Sequence, residues 1–201
     1  MVKIVCVLRS GGDFTPRHVQ VLASQVPGLA CLSDVPVPGV ETIPLKYDWP
    51  GWWSKINLCR PDIKGDLLYL DLDTVVPGDL APLIKAANGK TTMLSDFYWP
   101  EHPASGFMYI SQADKAAVWD RWITNPKAHM TRPATRGRIG DQAFFADCWT
   151  PQRWQDIAPG KVVSYKVHCK NGVPPGASVV CFHGKPRPQD VKADWIPDYG
   201  N

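Results

Sequence analysis

The sequence predicts an α/β fold: a mostly parallel, Rossmann-like central sheet flanked by helices, in one domain over residues 1–201. Three observations carry this. Strand-like and helix-like signals alternate along the chain. Two segments, Val2–Leu8 and Asp66–Leu72, are almost continuously apolar, the pattern of strands buried on both faces. And 201 residues with 44% hydrophobic and 20% charged content suit one domain that buries its own core.

Val2–Leu8 is the first strand, and Ser10-Gly11-Gly12-Asp13 turns the chain. Thr15 then reads as an N-cap with Pro16 at the first helical position, and Val19, Leu22 and Val26 recur at helical spacing. Leu29–Leu32 is a second strand, Glu41–Leu45 a short edge strand, and Trp52–Cys59 a short helix. Asp66–Leu72 is the third central strand. Beyond it the pattern gives a helix over Asp79–Ala87, strands over Thr91–Ser95 and Gly106–Ile110, and an amphipathic helix over Gln112–Ile123. Gly140–Trp149 is helical, Val162–Tyr165 and Ser178–Phe182 are late strands, and the proline-rich tail from Lys185 is extended.

No apolar stretch approaches the roughly 20 residues that span a bilayer, and Met1–Leu8 is too short and strand-like for a signal peptide. The six cysteines show no Cys-x-x-Cys spacing, which argues against a zinc ribbon or a thioredoxin-type site. They read as reduced thiols in a cytoplasmic protein. The formal charge of +3 is uneven. Residues 1–101 carry 9 Lys+Arg and 11 Asp+Glu, net −2, whereas residues 102–201 carry 13 and 8, net +5. Between Arg121 and Gly140 stand Arg121, Lys127, Arg132, Arg136 and Arg138 with no acid, either a solvated face or a flap toward an anionic ligand. That density is too low to claim nucleic acid by itself.

Leu67-Leu-Tyr-Leu-Asp71-Leu-Asp73 is an apolar strand ending in two carboxylates. Side chains at i and i+2 of a strand share a face, so both can reach one hard cation, Mn²⁺ or Mg²⁺. Open α/β sheets bind ligands beyond the C-terminal ends of their strands, which is where the pair lies. Asp-x-Asp followed by Thr-Val-Val also resembles the first motif of haloacid-dehalogenase-like phosphatases, with Asp71 as nucleophile. Against that reading, two βα-like units precede the strand, Asp141 and Asp147 stand too far apart for the later acidic motif, and a histidine motif near the C-terminus goes unexplained.

That motif is Phe182-His183-Gly184-Lys185-Pro186, at the end of a strand. Together with Asp71-Leu-Asp73 it resembles retaining glycosyltransferases of family 8, the glycogenin and bacterial galactosyltransferase type, which have a GT-A fold. The resemblance implies a metal held by Asp71, Asp73 and His183, with Lys185 on the donor diphosphate, although His-Gly-Lys-Pro is a contracted form of the family's His-x-x-Gly-x-x-Lys-Pro. Gly140-Asp141-Gln142 resembles the family's Asp-Gln pair near the transferred sugar and acceptor; Asp141 also fits a helix cap. Ser105-Gly106 resembles the start of a strand where a small residue lets the sugar approach. Lys55 stands where the family places a basic residue against donor sugar or phosphate, or is a solvated helix lysine. Asp96 is a candidate for donor-sugar hydroxyls, or a turn cap. On the nucleotide side, Ser10-Gly11-Gly12 offers close backbone approach and Asp34 an acceptor for a uracil N–H; otherwise both are turns. Nine tryptophans are many for this length, and Trp49, Trp52, Trp53 and Trp99 offer flat faces for sugar rings, with core packing as the default.

The resemblance thus implies a GT-A-like domain with residues 1–101 as mainly the nucleotide-binding half, 102–185 as the acceptor and sugar side, and 186–201 as a tail. It implies transfer of a sugar from a nucleotide-diphosphate donor, a UDP-sugar, to a hydroxyl of a carbohydrate or other acceptor, with retention. A nucleic-acid acceptor draws only slight support from the basic segment. Besides the phosphatase, the alternatives are a sugar-nucleotide pyrophosphorylase, whose Gly-rich, Arg-containing fingerprint is absent, and a non-catalytic carbohydrate-binding protein.

Overall fold

The computed structural model describes residues 2–131 and 140–200. A seven-stranded sheet contains β1 (Lys3–Leu8), β2 (Ala30–Ser33), β3 (Glu41–Pro44), β4 (Leu67–Leu70), β6 (Thr92–Ser95), β7 (Pro103–Ile110) and β8 (Gln152–Arg153), in the order β3-β2-β1-β4-β7-β6-β8. The first four strands in that order pair in parallel and β6 pairs with β8 in parallel; β7 runs antiparallel to both neighbours. A smaller sheet, in the order β5-β10-β9, joins β5 (Thr74–Val75), β10 (Val179–Cys181) and β9 (Val162–Ser164). The late strands expected from the sequence therefore form their own sheet.

The two faces of the large sheet explain its apolar strands. Val5, Val7, Leu67, Tyr69, Met108 and Ile110 pack on one side, with Trp53, Ile56, Trp119, Trp122 and Phe145. Their strand neighbours Cys6, Leu8, Leu68, Leu70, Phe107 and Tyr109 pack on the other, with Val19, Leu22 and Trp154. Residues alternate between faces and both faces are covered, which is why no polar alternation is written into β1 or β4.

Helix α1 (Pro16–Gln25) begins as expected behind Thr15, which joins a capping box with His18. Gly51–Cys59 is a 3₁₀ helix; α2 is Ala81–Ala87; and the Gln112–Ile123 expectation divides into a 3₁₀ turn, Gln112–Asp114, and α3 (Lys115–Thr124). Short helices α4 (Pro126–Thr131), α5 (Asp141–Cys148), α6 (Trp154–Ile157) and α7 (Tyr165–His168) follow, and Pro188–Asp190 adds a 3₁₀ turn to the tail. Gly78 is required where the chain leaves β5 of the small sheet: a Cβ there would lie 2.9 Å from the Ala177 carbonyl oxygen and 3.0 Å from Ser178 Cα. No helix of the described residues is long and apolar enough to cross a membrane.

Candidate active site

The parallel strands β1 and β4 end on a cavity of about 580 Å³. Strand β4 stops at Leu70, and Asp71–Asp73 turn the chain toward β5 in the small sheet. The two carboxylates thus reach the cavity from a turn rather than from one face of a continuing strand. Leu72 anchors that turn in the core at 4% exposure.

Asp71 is held from two directions. Tyr69, two residues earlier on β4, donates its hydroxyl to Oδ1. Lys55, from the 3₁₀ helix, lies 2.9 Å from Oδ1 and 3.2 Å from Oδ2. The same ammonium lies 3.1 Å from Asp141 Oδ2 and 3.4 Å from Ser105 Oγ. Ser105 Oγ in turn donates to Asp141 Oδ2 at 2.7 Å. Burial opposes the charge on Lys55, but Asp141 and Asp71 outweigh it and hold the ammonium above the usual lysine range. Four residues far apart in sequence (Lys55, Asp71, Ser105 and Asp141) therefore form one charge network, with Gln142 and Gly106 beside it on the cavity wall. A Cβ on Gly106 would sit 3.5 Å from Asp71 Oδ2.

Asp73 is 8% exposed. Burial and the neighbouring Asp71 push its carboxyl up to about 7, against the pull of Arg187 and Lys55. Arg187 Nη1 donates to Asp73 Oδ2, Nη2 stands 3.3 Å from Asp13 Oδ2, and the guanidinium carbon lies 4.9 Å from the centre of the Phe14 ring. Two buried polar atoms on the cavity-lining residues Thr74 (Oγ1) and Arg187 (Nε) have no hydrogen-bond partner among the described residues.

Several expected residues lie elsewhere or are engaged otherwise. His183 lines the cavity, but its Nε2 is 2.6 Å from Ser164 Oγ and its ring stacks on Phe97, centre to centre 5.4 Å. Burial, then the Lys166 charge, lower its pKa, with Asp96 opposing. Among the described residues no three His, Cys, Asp or Glu side chains are gathered to hold a metal, while His183 shares the cavity wall with Asp71 and Asp73. Lys185 is exposed and off the cavity wall, while Arg187, which the sequence pattern did not single out, is on it. In this tail Arg187, not Lys185, reaches Asp73.

Ser10, Gly11 and Asp34 also lie off the wall, whereas Gly12, Asp13 and Phe14 line it. Asp34 Oδ1 accepts from the Ser10 backbone N–H at 2.8 Å, and Oδ2 accepts from Arg9 and from Ser10 Oγ. Those bonds are spent on fixing the β1 loop. Asp96 lines the cavity and caps its own loop: Oδ1 accepts from the backbone N–H groups of Tyr98 at 2.8 Å and Trp99 at 3.1 Å. Of the tryptophans, Trp49 and Trp53 are in the core, while Trp52 and Trp99 are exposed. In the basic segment, Arg121 donates to the Asp147 carbonyl at 3.0 Å, and Arg132, Arg136 and Arg138 lie outside the described residues.

The wall carries five carboxylates (Asp13, Asp71, Asp73, Asp96, Asp141) against Arg9, Lys55 and Arg187. An anionic ligand entering a site with that surplus needs a cation beside it. Asp71 and Asp73 offer hard oxygen donors of the kind Mg²⁺ and Mn²⁺ take when substrate phosphates complete the shell. The residues present thus fit a divalent cation through two carboxylates.

No protein-family model matches the chain, and no curated protein matches it. Solved structures do resemble it. The glycosyltransferase GlyE of Streptococcus pneumoniae TIGR4 aligns over 98% of this chain and 60% of its own, with a TM-score of 0.62 and 13% identity. The galactosyltransferase LgtC, in complex with donor and acceptor sugar analogs, aligns over 92% of this chain and 88% of its own, with a TM-score of 0.60 and 14% identity. Mouse xyloside xylosyltransferase 1 aligns over 90% and 97%, with a TM-score of 0.52 and 11% identity. The chain spans 60% of the length of the pneumococcal protein. The shared architecture is the GT-A fold, as the sequence resemblance implied.

Proposed function

We propose that this protein is a glycosyltransferase that moves a sugar from a nucleotide-diphosphate donor, a UDP-sugar, to a hydroxyl acceptor, with a divalent cation on Asp71 and Asp73. The observation that carries this reading is the convergence of Asp71, Asp73, Lys55, Asp141 and Arg187 on one cavity at the ends of the parallel strands in a GT-A fold. The galactosyltransferase LgtC, of the same fold, is described with donor and acceptor sugar analogs, which supports the substrate class.

In the reaction the bond from the anomeric carbon to the diphosphate oxygen breaks, with its electron pair left on phosphate. The acceptor oxygen bonds to that carbon and passes its proton to the departing diphosphate oxygen. A bound cation supplies Lewis-acid stabilisation of the diphosphate. Arg187, in trading Asp73 for a phosphate oxygen, adds a planar set of donors to the same charge. Lys55, paired with both Asp71 and Asp141, holds the two carboxylates fixed relative to each other, so neither must reorganise as charge develops. Asp141 and Gln142, at the start of α5, face the space left for sugar and acceptor hydroxyls. Retention is carried by the family resemblance alone, and the anomeric ¹H coupling of the product tests it. All six cysteines are free and five of them are buried, in keeping with a reducing, cytoplasmic setting.

The test is thermal stabilisation by UDP and UDP-hexoses, with Mn²⁺ or with chelator. A site occupied at 100 times its dissociation constant gains about 2.7 kcal/mol of stability. We expect a metal-dependent shift that Asp73→Asn abolishes. Stabilisation by UDP that is identical in chelator and in Asp73→Asn would overturn the role given to the pair.

A further inference from the structure

Beside the cavity mouth the Asp96–His102 loop carries two large aromatic side chains that the core does not use. Tyr98 and Trp99 are each 55% exposed. The loop is tied in place: Asp96 caps Tyr98 and Trp99, the Asp96 N–H donates to the His102 carbonyl at 2.8 Å, and the His102 N–H donates to the Trp99 carbonyl at 2.9 Å. These rings are therefore held outward by a hydrogen-bonded loop. The patch continues into the cavity. Tyr98 meets the His183 ring edge-on at 5.3 Å and Trp99 at 6.3 Å, and His183 stacks on Phe97; Phe97 and His183 both line the wall. A third exposed aromatic, Trp52 at 57%, lines the same cavity, with its indole nitrogen near Gly140.

We propose that Tyr98 and Trp99 form the platform on which the acceptor's sugar ring stacks, with Trp52 as a further contact at the cavity. This rests on the donor reading above, because it takes the interior between Arg187 and Lys55 to be the donor's place. The chemistry favours a saccharide. The exposed members are Tyr and Trp, each with a flat apolar face and a polar edge, and a pyranose offers an apolar C–H face bordered by hydroxyls. The platform adjoins the cavity, so a ring seated there can present a hydroxyl to the reacting carbon.

Saturation-transfer NMR with lactose, maltose and cellobiose, without donor, tests this on the full chain. We expect ring protons of at least one disaccharide to be saturated by the wild-type protein, and the effect to fall at least fivefold in Tyr98→Ala/Trp99→Ala and to a lesser degree in Trp52→Ala. UDP stabilisation, followed in parallel, is expected to be unchanged in the double variant, and so is its melting temperature, since both side chains are mostly outside the core. No saturation of any of the three sugars, or equal saturation in the double variant, would overturn the platform. So would co-sedimentation with phosphatidylserine vesicles that depends on Tyr98 and Trp99 while sugar saturation does not. Sugar binding that needs the platform in a protein that UDP fails to stabilise would sink the donor reading instead and leave the platform standing.

Discussion

Two lysines lie out of bulk solvent at opposite ends of the same strand. Past the C-terminal end of β4, Lys55 sits among the carboxylates of Asp71 and Asp141 on the wall of a cavity. Before its N-terminal end, Lys115, 2% exposed, donates to the carbonyl oxygens of Ile63 at 2.8 Å and Gly65 at 2.7 Å. Burial pulls Lys115 down to about 8, with Cys59 and Asp66 opposing, whereas the two carboxylates lift Lys55 above its usual range in spite of burial. Lys115 closes a loop: the Ile63 and Gly65 carbonyls satisfy it. Lys55 neutralises acids that would otherwise repel one another beside an open space. Burial and a perturbed pKa are common to both, so neither marks the site. Facing carboxylates on a cavity do.

The largest effect expected from this contrast is on turnover. Lys55→Met should lower kcat for UDP-hexose turnover by about 10²- to 10³-fold, the usual cost of losing one preorganised electrostatic group. Lys115→Met should leave kcat within about twofold, read at a temperature where both variants are folded by circular dichroism. Loss of turnover in Lys115→Met would break the distinction.

Next in size is the exchange of the two basic residues in the tail. Arg187→Ala should raise the donor KM by about 10- to 100-fold, since hydrogen bonds to charged groups contribute roughly 1.5–3 kcal/mol. Lys185→Ala, exposed and off the cavity wall, should leave KM unchanged. Initial rates against UDP-hexose concentration decide between them, and the reverse order of effects would restore Lys185 to the diphosphate.

The tail also shows where the sequence was legible. The fold class, the chain order of the first strands and the cavity position of Asp71 and Asp73 follow from apolar runs and strand ends, because burial on both faces of a parallel sheet leaves a strong mark; Asp141 and Gln142 come from the family resemblance alone. Arg187 left none: its approach to Asp73 depends on the turn taken at Gly184 (φ 80°) and the path after it. The two-residue strand Thr74–Val75 is too short to have a period, and it is this strand that draws Asp71–Asp73 into a turn. Tyr165 reads as the continuation of a strand but begins a helix, because Ser164 accepts the Val167 N–H and caps it. Asp34 and Asp96 stand out in the sequence as acids at strand ends; the fold gives Asp34 to Arg9 and Ser10, and one oxygen of Asp96 to the backbone N–H groups of Tyr98 and Trp99. Tyr69, two residues before Asp71 on the same face, was within reach of the period-two rule.

A smaller effect concerns stability alone. Lys115→Met leaves the Ile63 and Gly65 carbonyls without their donor, at a cost of about 1–3 kcal/mol. At about 2–4 °C per kcal/mol for a chain of this size, the melting temperature should fall by several degrees. Thermal unfolding by circular dichroism measures it, and an unchanged melting temperature would mean that the loop closes without the lysine.

The smallest effect is the pH dependence that the same lysine imposes. Its pKa is about 8 in the folded protein against 10.5 for the free side chain, so between these values the unfolded chain binds more protons. Stability from this group therefore rises with pH across that window and is lost as pH falls through about 8. Between pH 7 and 9 the gain is about 1 kcal/mol, taking 1.36 kcal/mol per unit. Thiols of the unfolded chain titrate in the same range, so the observable is the difference between wild type and Lys115→Met, measured by urea unfolding at pH 7, 8 and 9. Lys55 makes the opposite prediction: with its pKa raised by Asp141 and Asp71, it stays charged throughout this window and contributes no slope. If the wild-type slope survives in Lys115→Met, the proton belongs to another group, and the two lysines differ less than their sockets imply.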